Sequence, residues 1–227
     1  FMKKLPILIL CAGFGKRMLD LTRDKPKPLL KIKNTTLLGN SINFFKDVGC
    51  TEIFINTHYL HNKIEKYIIK NFNDHSINLI YEPAILDTGG GVKNIFNYIN
   101  YDKICVVNSD IFWIDDNKKD IINFFNDTNN ITHCKILLSK NHNFYGLKKI
   151  NGDFKIYKDL VSKWSKGDDV LYYSGIQIVS KKVFQKLSEK FSMNVVWNKL
   201  IVDKKLKGSL IPSKIIHIGD KNSFHYL

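Results

Sequence analysis

Short apolar, β-branched runs alternate with longer amphipathic segments through the first half of the chain, and strand-like runs joined by short turns dominate the second half. These two observations predict an α/β, Rossmann-like three-layer sandwich, with a mixed, mainly parallel central sheet and a small antiparallel extension. A third observation narrows the domain count. The 227 residues allow one large domain or two small ones, and no Pro/Gly/Ser-rich linker separates the halves, so one domain over residues 2–227 is expected.

The elements follow in order. Leu5–Cys11 is an apolar run of strand length. Thr36–Val48 places Leu37, Leu38, Ile42, Phe45 and Val48 at helical spacing, with Gly49 as its stop. Glu52–Asn56 is a strand, Leu60–Phe72 a helix, Ile77–Tyr81 a strand, Gly91–Ile99 a helix and Lys103–Val107 a strand. Beyond residue 130 the rhythm changes to strands at Thr132–Leu138, Tyr145–Ile150, Phe154–Tyr157 and Val170–Val179, with Asn151-Gly152 as the clearest hairpin turn. Helices at Lys182–Phe191 and Val195–Lys204 precede strands at Ser209–Ile211 and Ile215–Ile218.

Charge and cysteine usage exclude several classes. Lys and Arg number 35 against 21 acids, a net charge of +14, yet only Arg17 and Arg23 are arginine. Sites that read bases or grip phosphates usually recruit the planar guanidinium, so the scattered lysines read as a solvated surface and no nucleic-acid partner is expected. The same bias gives Arg17 meaning, because a guanidinium kept where lysine is the default suggests a bidentate role. Cys11, Cys50, Cys105 and Cys134 lack C-x-x-C spacing and lie in or beside apolar runs, as buried reduced thiols do. With no apolar stretch near 18 residues and no signal-peptide pattern, a cytoplasmic protein without a membrane partner is expected.

Five segments carry chemistry. Leu10-Cys11-Ala12-Gly13-Phe14-Gly15-Lys16-Arg17 ends a strand in two glycines and two cations, so its backbone N–H groups can approach a polyphosphate closely. Downstream, Lys25-Pro26-Lys27-Pro28 presents the Lys27 ammonium from a restricted backbone, as suits a fixed point of developing negative charge. The pattern is neither G-x-G-x-x-G nor a Walker loop. Glu82 through Gly91 leaves a strand and opens a helix; Asp87 or Thr88 suits its N-cap, and Gly89, Gly90 and Gly91 offer a bare platform for a base or sugar. Asn108-Ser109-Asp110 sets a carboxylate at the carboxyl edge of the sheet, the best Mg²⁺ candidate in the chain. Tyr173-Ser174-Gly175 interrupts an apolar strand and marks a bulge or a close ligand approach, and His217 and Asp220 end the last strand.

Taken together, these residues resemble the sugar-1-phosphate nucleotidylyltransferase family over essentially the whole chain. Asp87-Thr88-Gly89-Gly90-Gly91, Asn108-Ser109-Asp110 and Tyr173-Ser174-Gly175 are most similar to its short bacterial N-acetylmuramate 1-phosphate uridylyltransferase and mannose-1-phosphate guanylyltransferase-like branch. The resemblance implies a nucleotide-binding half at 2–130 and a sugar-binding half at 131–227. It implies Cys11, Ala12, Gly13, Gly15, Glu82 and Gly89 as nucleotide contacts, Arg17 and Lys27 as catalytic, and Asn108 and Gly175 as sugar contacts. Asp110 would bind Mg²⁺, with His217 or Asp220 in the place of the family's usual second aspartate. A histidine there would shift preference toward Mn²⁺. The family's Glu-Lys-Pro segment is missing, and Lys148, Lys149 or Lys158 would meet the sugar phosphate instead.

The implied partners are a nucleoside triphosphate and a sugar 1-phosphate, acted on by a monomer or small homo-oligomer, with UTP and N-acetylmuramate 1-phosphate as the first pair. Mannose 1-phosphate with GTP is the alternative. Less favoured are a phosphocholine cytidylyltransferase and a nucleotide-sensing module without catalysis.

Overall fold

The structure is a computed structural model that describes residues 5–72, 75–127, 131–147 and 149–226. In chain order its elements are β1 (Ile7–Leu10), β2 (Lys31–Ile32), β3 (Thr35–Thr36), α1 (Leu37–Asp47), β4 (Ile53–Thr57), α2 (His61–Asn71), β5 (Ile77–Tyr81), α3 (Asp87–Ile95), β6 (Lys103–Asn108) and β7 (Ile111–Phe112). There follow α4 (Asn117–Asn126), β8 (Cys134–Lys140), β9 (Phe144–Tyr145), β10 (Phe154–Tyr157), β11 (Leu160–Lys163), β12 (Leu171–Ser180), α5 (Met193–Val202), β13 (Leu206–Leu210) and β14 (Ile215–His217).

Nine strands form one sheet in the order β10-β11-β13-β8-β12-β6-β1-β4-β5. Parallel pairing joins β6, β1, β4 and β5, whereas β12 runs antiparallel to both β6 and β8, which makes the sheet mixed. The hairpin β10–β11 is the antiparallel extension. Alternation along β1 shows why three layers form. Ile7 and Ile9 pack with Leu38, Ile42 and Phe45 of α1, Ile64 of α2 and Phe124 of α4, while Leu8 joins Val92 and Ile95 of α3 and Trp197 and Leu200 of α5 on the other face. A small sheet, β7-β14-β9, stands beside the main one and ties His217 to the segment after Asp110.

Local chemistry fixes the element ends. Thr36 caps α1, its Oγ1 accepting the Gly39 N–H at 2.9 Å, and Gly49 at φ +92 lies just past the helix end. Four expectations need correction. The third helix starts at Asp87, not Gly91, because its glycines pack against a neighbouring segment. Lys182–Phe191 forms only a 3₁₀ turn at Lys181–Phe184, after which the chain runs as a strap across the start of α3. Of the described residues of Tyr145–Ile150 only Tyr145 pairs, in the short strand Phe144–Tyr145. Asn151-Gly152 turns no hairpin: Gly152 lies against the Trp164 ring, and the hairpin turns instead at Lys158, whose φ is +55.

Candidate active site

The parallel strands β1, β4, β5 and β6 end on one edge of the sheet, where a crevice is expected in open α/β folds. A cleft of about 410 Å³ opens there, lined by Cys11, Ala12, Gly13, Gly15, Lys16, Arg17, Lys27, Asn56, Glu82, Asn108 and Asp110, among others. The loop after β1 forms one wall. Gly15 is left-handed at φ +66, and a Cβ there would press on the Lys27 Cβ and the Thr22 side chain, both at 3.1 Å. This glycine is therefore demanded by the fold, since it turns the loop and lets the Lys27 stem pass.

Lys27 heads a short 3₁₀ turn, Lys27–Leu29, between Pro26 and Pro28, and is only 8% exposed. Its Nζ donates to Asp110 Oδ2 at 2.8 Å. His217 Nε2 lies 3.3 Å from the same oxygen, while its Nδ1 lies 3.5 Å from the Gly146 carbonyl. Burial works against charge on Asp110, but the Lys27 ammonium and the His217 imidazole outweigh it and hold the carboxyl well below the usual range. The other oxygen, Asp110 Oδ1, is buried and has no hydrogen-bond partner among the described residues.

That orphaned oxygen is what the implied Mg²⁺ needs: a hard, charged ligand on a residue lining the cleft. Among the described residues no group of three or more His, Cys, Asp or Glu is arranged to hold a metal. An ion that keeps waters and takes substrate phosphates as ligands fits such a site, so Asp110 fits the group.

The structure separates the remaining expectations. Cys11, Ala12, Gly13, Gly15, Arg17, Lys27, Glu82, Asn108 and Asp110 come together at the cleft. The Cys11 thiol is buried and pushed well above its usual pKa, and its backbone N–H is taken by Asn56, so of its polar groups the carbonyl is left for a ligand. Gly89 is packed within the fold. Its N–H and that of Gly90 donate to the Phe191 carbonyl, and a Cβ at Gly89 would stand 2.4 Å from the Phe191 ring. Gly89 and Gly90 thus seat the strap on α3. Gly175 has φ +86 at a register shift in β12, and a Cβ there would meet Ile111 at 2.6 Å, so packing accounts for it.

The two C-terminal metal candidates also find other roles. His217 is turned onto Asp110, and the Asp220 Oδ1 accepts from the N–H groups of Asn222 and Ser223 and caps the turn that follows. Lys149 and Lys158 are not among the cleft residues, and Lys148 lies outside the described residues. Sequence reasoning misses Asn56, whose signal is a lone amide ending an apolar strand at the ligand edge. It gives Asp87 and Thr88 only a capping role, yet both line the cleft. Asp87 is left-handed at φ +62, and its Oδ1 accepts the Thr88 N–H at 2.6 Å.

Known proteins resemble this chain over nearly its whole length. The D-glycero-alpha-D-manno-heptose 1-phosphate guanylyltransferase of Aneurinibacillus thermoaerophilus is 26% identical over 215 residues, covering 93% of this chain and 92% of its own length. The N-acetylmuramate alpha-1-phosphate uridylyltransferase of Caulobacter vibrioides is 23% identical over 222 residues, covering 94% and 91%. HddC from Yersinia pseudotuberculosis, crystallised with GMP-PN, shares the fold at a TM-score of 0.78 and 24% identity, over 98% of this chain and 97% of that one. No helix among the described residues is long and apolar enough to cross a membrane. The family model described as nucleotidyl transferase matches residues 7–206, from the first core strand into β13, and the chain belongs to that family.

Proposed function

We propose that this enzyme transfers a nucleoside monophosphate from a nucleoside triphosphate to a sugar 1-phosphate. The observation that carries the reading is Gly13. A Cβ built there meets no heavy atom of the described residues within 4 Å, and its φ is not in the left-handed region, so the fold itself does not require glycine. The position lies on the cleft wall between Ala12 and the cations Lys16 and Arg17, where a bare backbone admits a phosphate chain.

In the reaction an oxygen of the sugar phosphate attacks the α-phosphorus, a new P–O bond forms, and the bond to the bridging oxygen breaks to release pyrophosphate. The step needs positioning and charge neutralisation more than covalent chemistry. The Ala12–Gly15 backbone holds the phosphates, and Arg17 grips the departing pyrophosphate with a bidentate fork. Lys27, presented rigidly by its prolines, neutralises charge at the α-phosphate, and Asn108 faces the sugar side. Asp110 holds the divalent cation, which when bound offsets phosphate charge.

UTP with N-acetylmuramate 1-phosphate is our first pair, on the likeness of Asp87-Thr88-Gly89-Gly90-Gly91, Asn108-Ser109-Asp110 and Tyr173-Ser174-Gly175 to that branch and on the full-length uridylyltransferase relative. GTP with a heptose or mannose 1-phosphate is the second, favoured by the full-length guanylyltransferase relative. Pyrophosphate release from a panel of sugar 1-phosphates with each of the four NTPs and Mg²⁺ tests both. Turnover confined to GTP would overturn the first pair, and no turnover with any pair in folded protein would overturn the function.

Gly13→Ala separates ligand from fold. Its melting temperature is expected to stay within about 3 °C of the wild type, the shift that roughly 1 kcal/mol produces in a chain of this size. KM for the NTP should rise at least about tenfold, the equivalent of roughly 1.4 kcal/mol. A variant that melts early and binds normally would assign the glycine to the fold instead.

A further inference from the structure

The parallel ladder between β1 and β4 ends at the pair Leu10 and Asn56. Just beyond it the Asn56 side chain takes over, its Oδ1 accepting the Cys11 N–H at 2.9 Å. The same amide uses its nitrogen on the residue after β5, where Nδ2 donates to Glu82 Oε1 at 2.7 Å. Asn56 is 2% exposed and Glu82 1% exposed, so neither bond is shared with bulk water. Burial raises the Glu82 carboxyl, and the Asn56 hydrogen bond is the largest influence opposing that rise.

The third glycine of α3 belongs to the same construction. A Cβ at Gly91 would stand 2.8 Å from Asn56 Nδ2 and 2.9 Å from Glu82 Oε1. Gly89 and Gly90 are bare for the strap, but Gly91 is bare for this pair of side chains. Three separate segments, the end of β4, the residue after β5 and the glycine run of α3, are therefore shaped around one backbone N–H.

We infer that Asn56 is a positioning residue for nucleotide binding, acting through a Glu82–Asn56–Cys11 relay that sets where the loop after β1 begins. This deepens the proposed function and rests on that loop being the one that holds the triphosphate. Cys11 is the first residue of the loop, and Ala12, Gly13 and Gly15 follow it along the cleft wall. A shift at Cys11 moves their N–H groups together. Glu82 then acts from behind Asn56, orienting the amide so that its oxygen faces the loop. Oε1 of the carboxylate accepts from Asn56, while Oε2 is buried and has no hydrogen-bond partner among the described residues.

The relay has a polarity that substitution can reverse. In N56D two carboxylates meet and repel, and binding is measured at pH 8 to disfavour a proton shared between them; one oxygen still faces the Cys11 N–H. In E82Q the new amide oxygen still accepts from Asn56. In the double variant N56D/E82Q the Gln amide donates to the Asp carboxylate, and the carboxylate accepts from Cys11, so the chain of bonds is restored with its middle link reversed.

Binding of MgUTP and of MgGTP is measured by calorimetry on folded protein, with KM for the sugar 1-phosphate and amide exchange at Cys11 in nucleotide-free protein. N56D is expected to weaken the better-bound nucleotide at least tenfold and to expose the Cys11 amide to exchange. E82Q and the double variant are expected to keep the Cys11 amide protected, and the double variant to bind the nucleotide several-fold better than N56D. KM for the sugar 1-phosphate should stay within twofold in all three, which a general loss of structure would not allow.

A double variant no better than N56D, or N56D that binds and exchanges as wild type, would overturn the relay. If N56D does not fold, a double variant that folds and binds is itself the rescue, and one that also fails counts against it. If the wild type binds neither nucleotide and turns over no pair, the functional reading fails. The exchange data then still decide whether Asn56 and Glu82 hold the loop.

Discussion

Asp110→Asn is expected to lower kcat by about 10²–10³-fold while leaving a folded protein. The amide keeps the shape of the carboxylate and still offers Lys27 Nζ an acceptor, but it removes the one negative charge between Lys27 and His217. It also removes the charged oxygen that would meet a divalent cation. Because an acceptor remains, the stability loss should fall below the roughly 3–5 kcal/mol of stripping one partner from a buried pair. The sign with pH follows from the depressed carboxyl of Asp110. Its charge adds stability that is present above the unfolded value of about 3.9 and is lost as pH falls through the lower folded value. Urea unfolding of wild type and variant should therefore differ at pH 7, and the gap should close only in strong acid. A kcat within fivefold of wild type would remove Asp110 from the chemistry.

Lys27→Met is expected to cost a similar factor, about 10²–10³ in kcat. Methionine keeps most of the stem that fills the space above Gly15, so the loop should hold its shape while the charge disappears. Lys27→Arg should fail to rescue. Pro26 and Pro28 restrict the backbone, and Gly15 has already given up its side chain to let a narrow stem through, so a wider planar head would be misplaced. The two substitutions make a cycle. If Lys27 and Asp110 act as a unit, the double variant K27M/D110N should lose little more than either single one. Fully multiplicative losses would show two independent roles.

The cleft is legible where chemistry forces an unusual local sequence. Gly13, Gly15, Lys16 and Arg17 after an apolar strand, with a lysine between two prolines downstream, form a joint pattern that points to a phosphate chain, and all line the cleft. Asp110 is legible because a buried strand ending in an acid points at the ligand edge. Gly89 and Gly175 are less legible for one reason. A glycine that clears space for a ligand and one that clears space for Phe191 or Ile111 look the same until the neighbour is known. For His217 and Asp220 the sequence shows only two polar groups near one strand end, and the pairing of β14 with β7 is what turns the first toward Asp110.

In the fold, β5 and β10 match their predicted bounds, and the strands of the parallel half lie within three residues of theirs. Their apolar runs are bounded by polar residues. The helix Asn117–Asn126 is not legible, although Ile121, Phe124 and Phe125 show helical spacing, because two aromatic neighbours in a short segment read equally as a strand. The strap after Phe184 reads as helix from its lysines and leucine. Its backbone N–H and C=O groups are instead spent on α3, a tertiary override that no local pattern reveals.

The small sheet β7-β14-β9 has a consequence for how the protein assembles. It brings His217 to Asp110 from more than a hundred residues further along the chain, and Lys27 reaches the same carboxylate from 83 residues before it. Local helices and the β1–β4–β5 pairings close much shorter loops and form sooner by that measure. A refolding chain should thus pass through a stage with a formed phosphate loop and an uncollected charge cluster. Far-UV signals would recover ahead of activity, and the lag between them times the docking of the last strand.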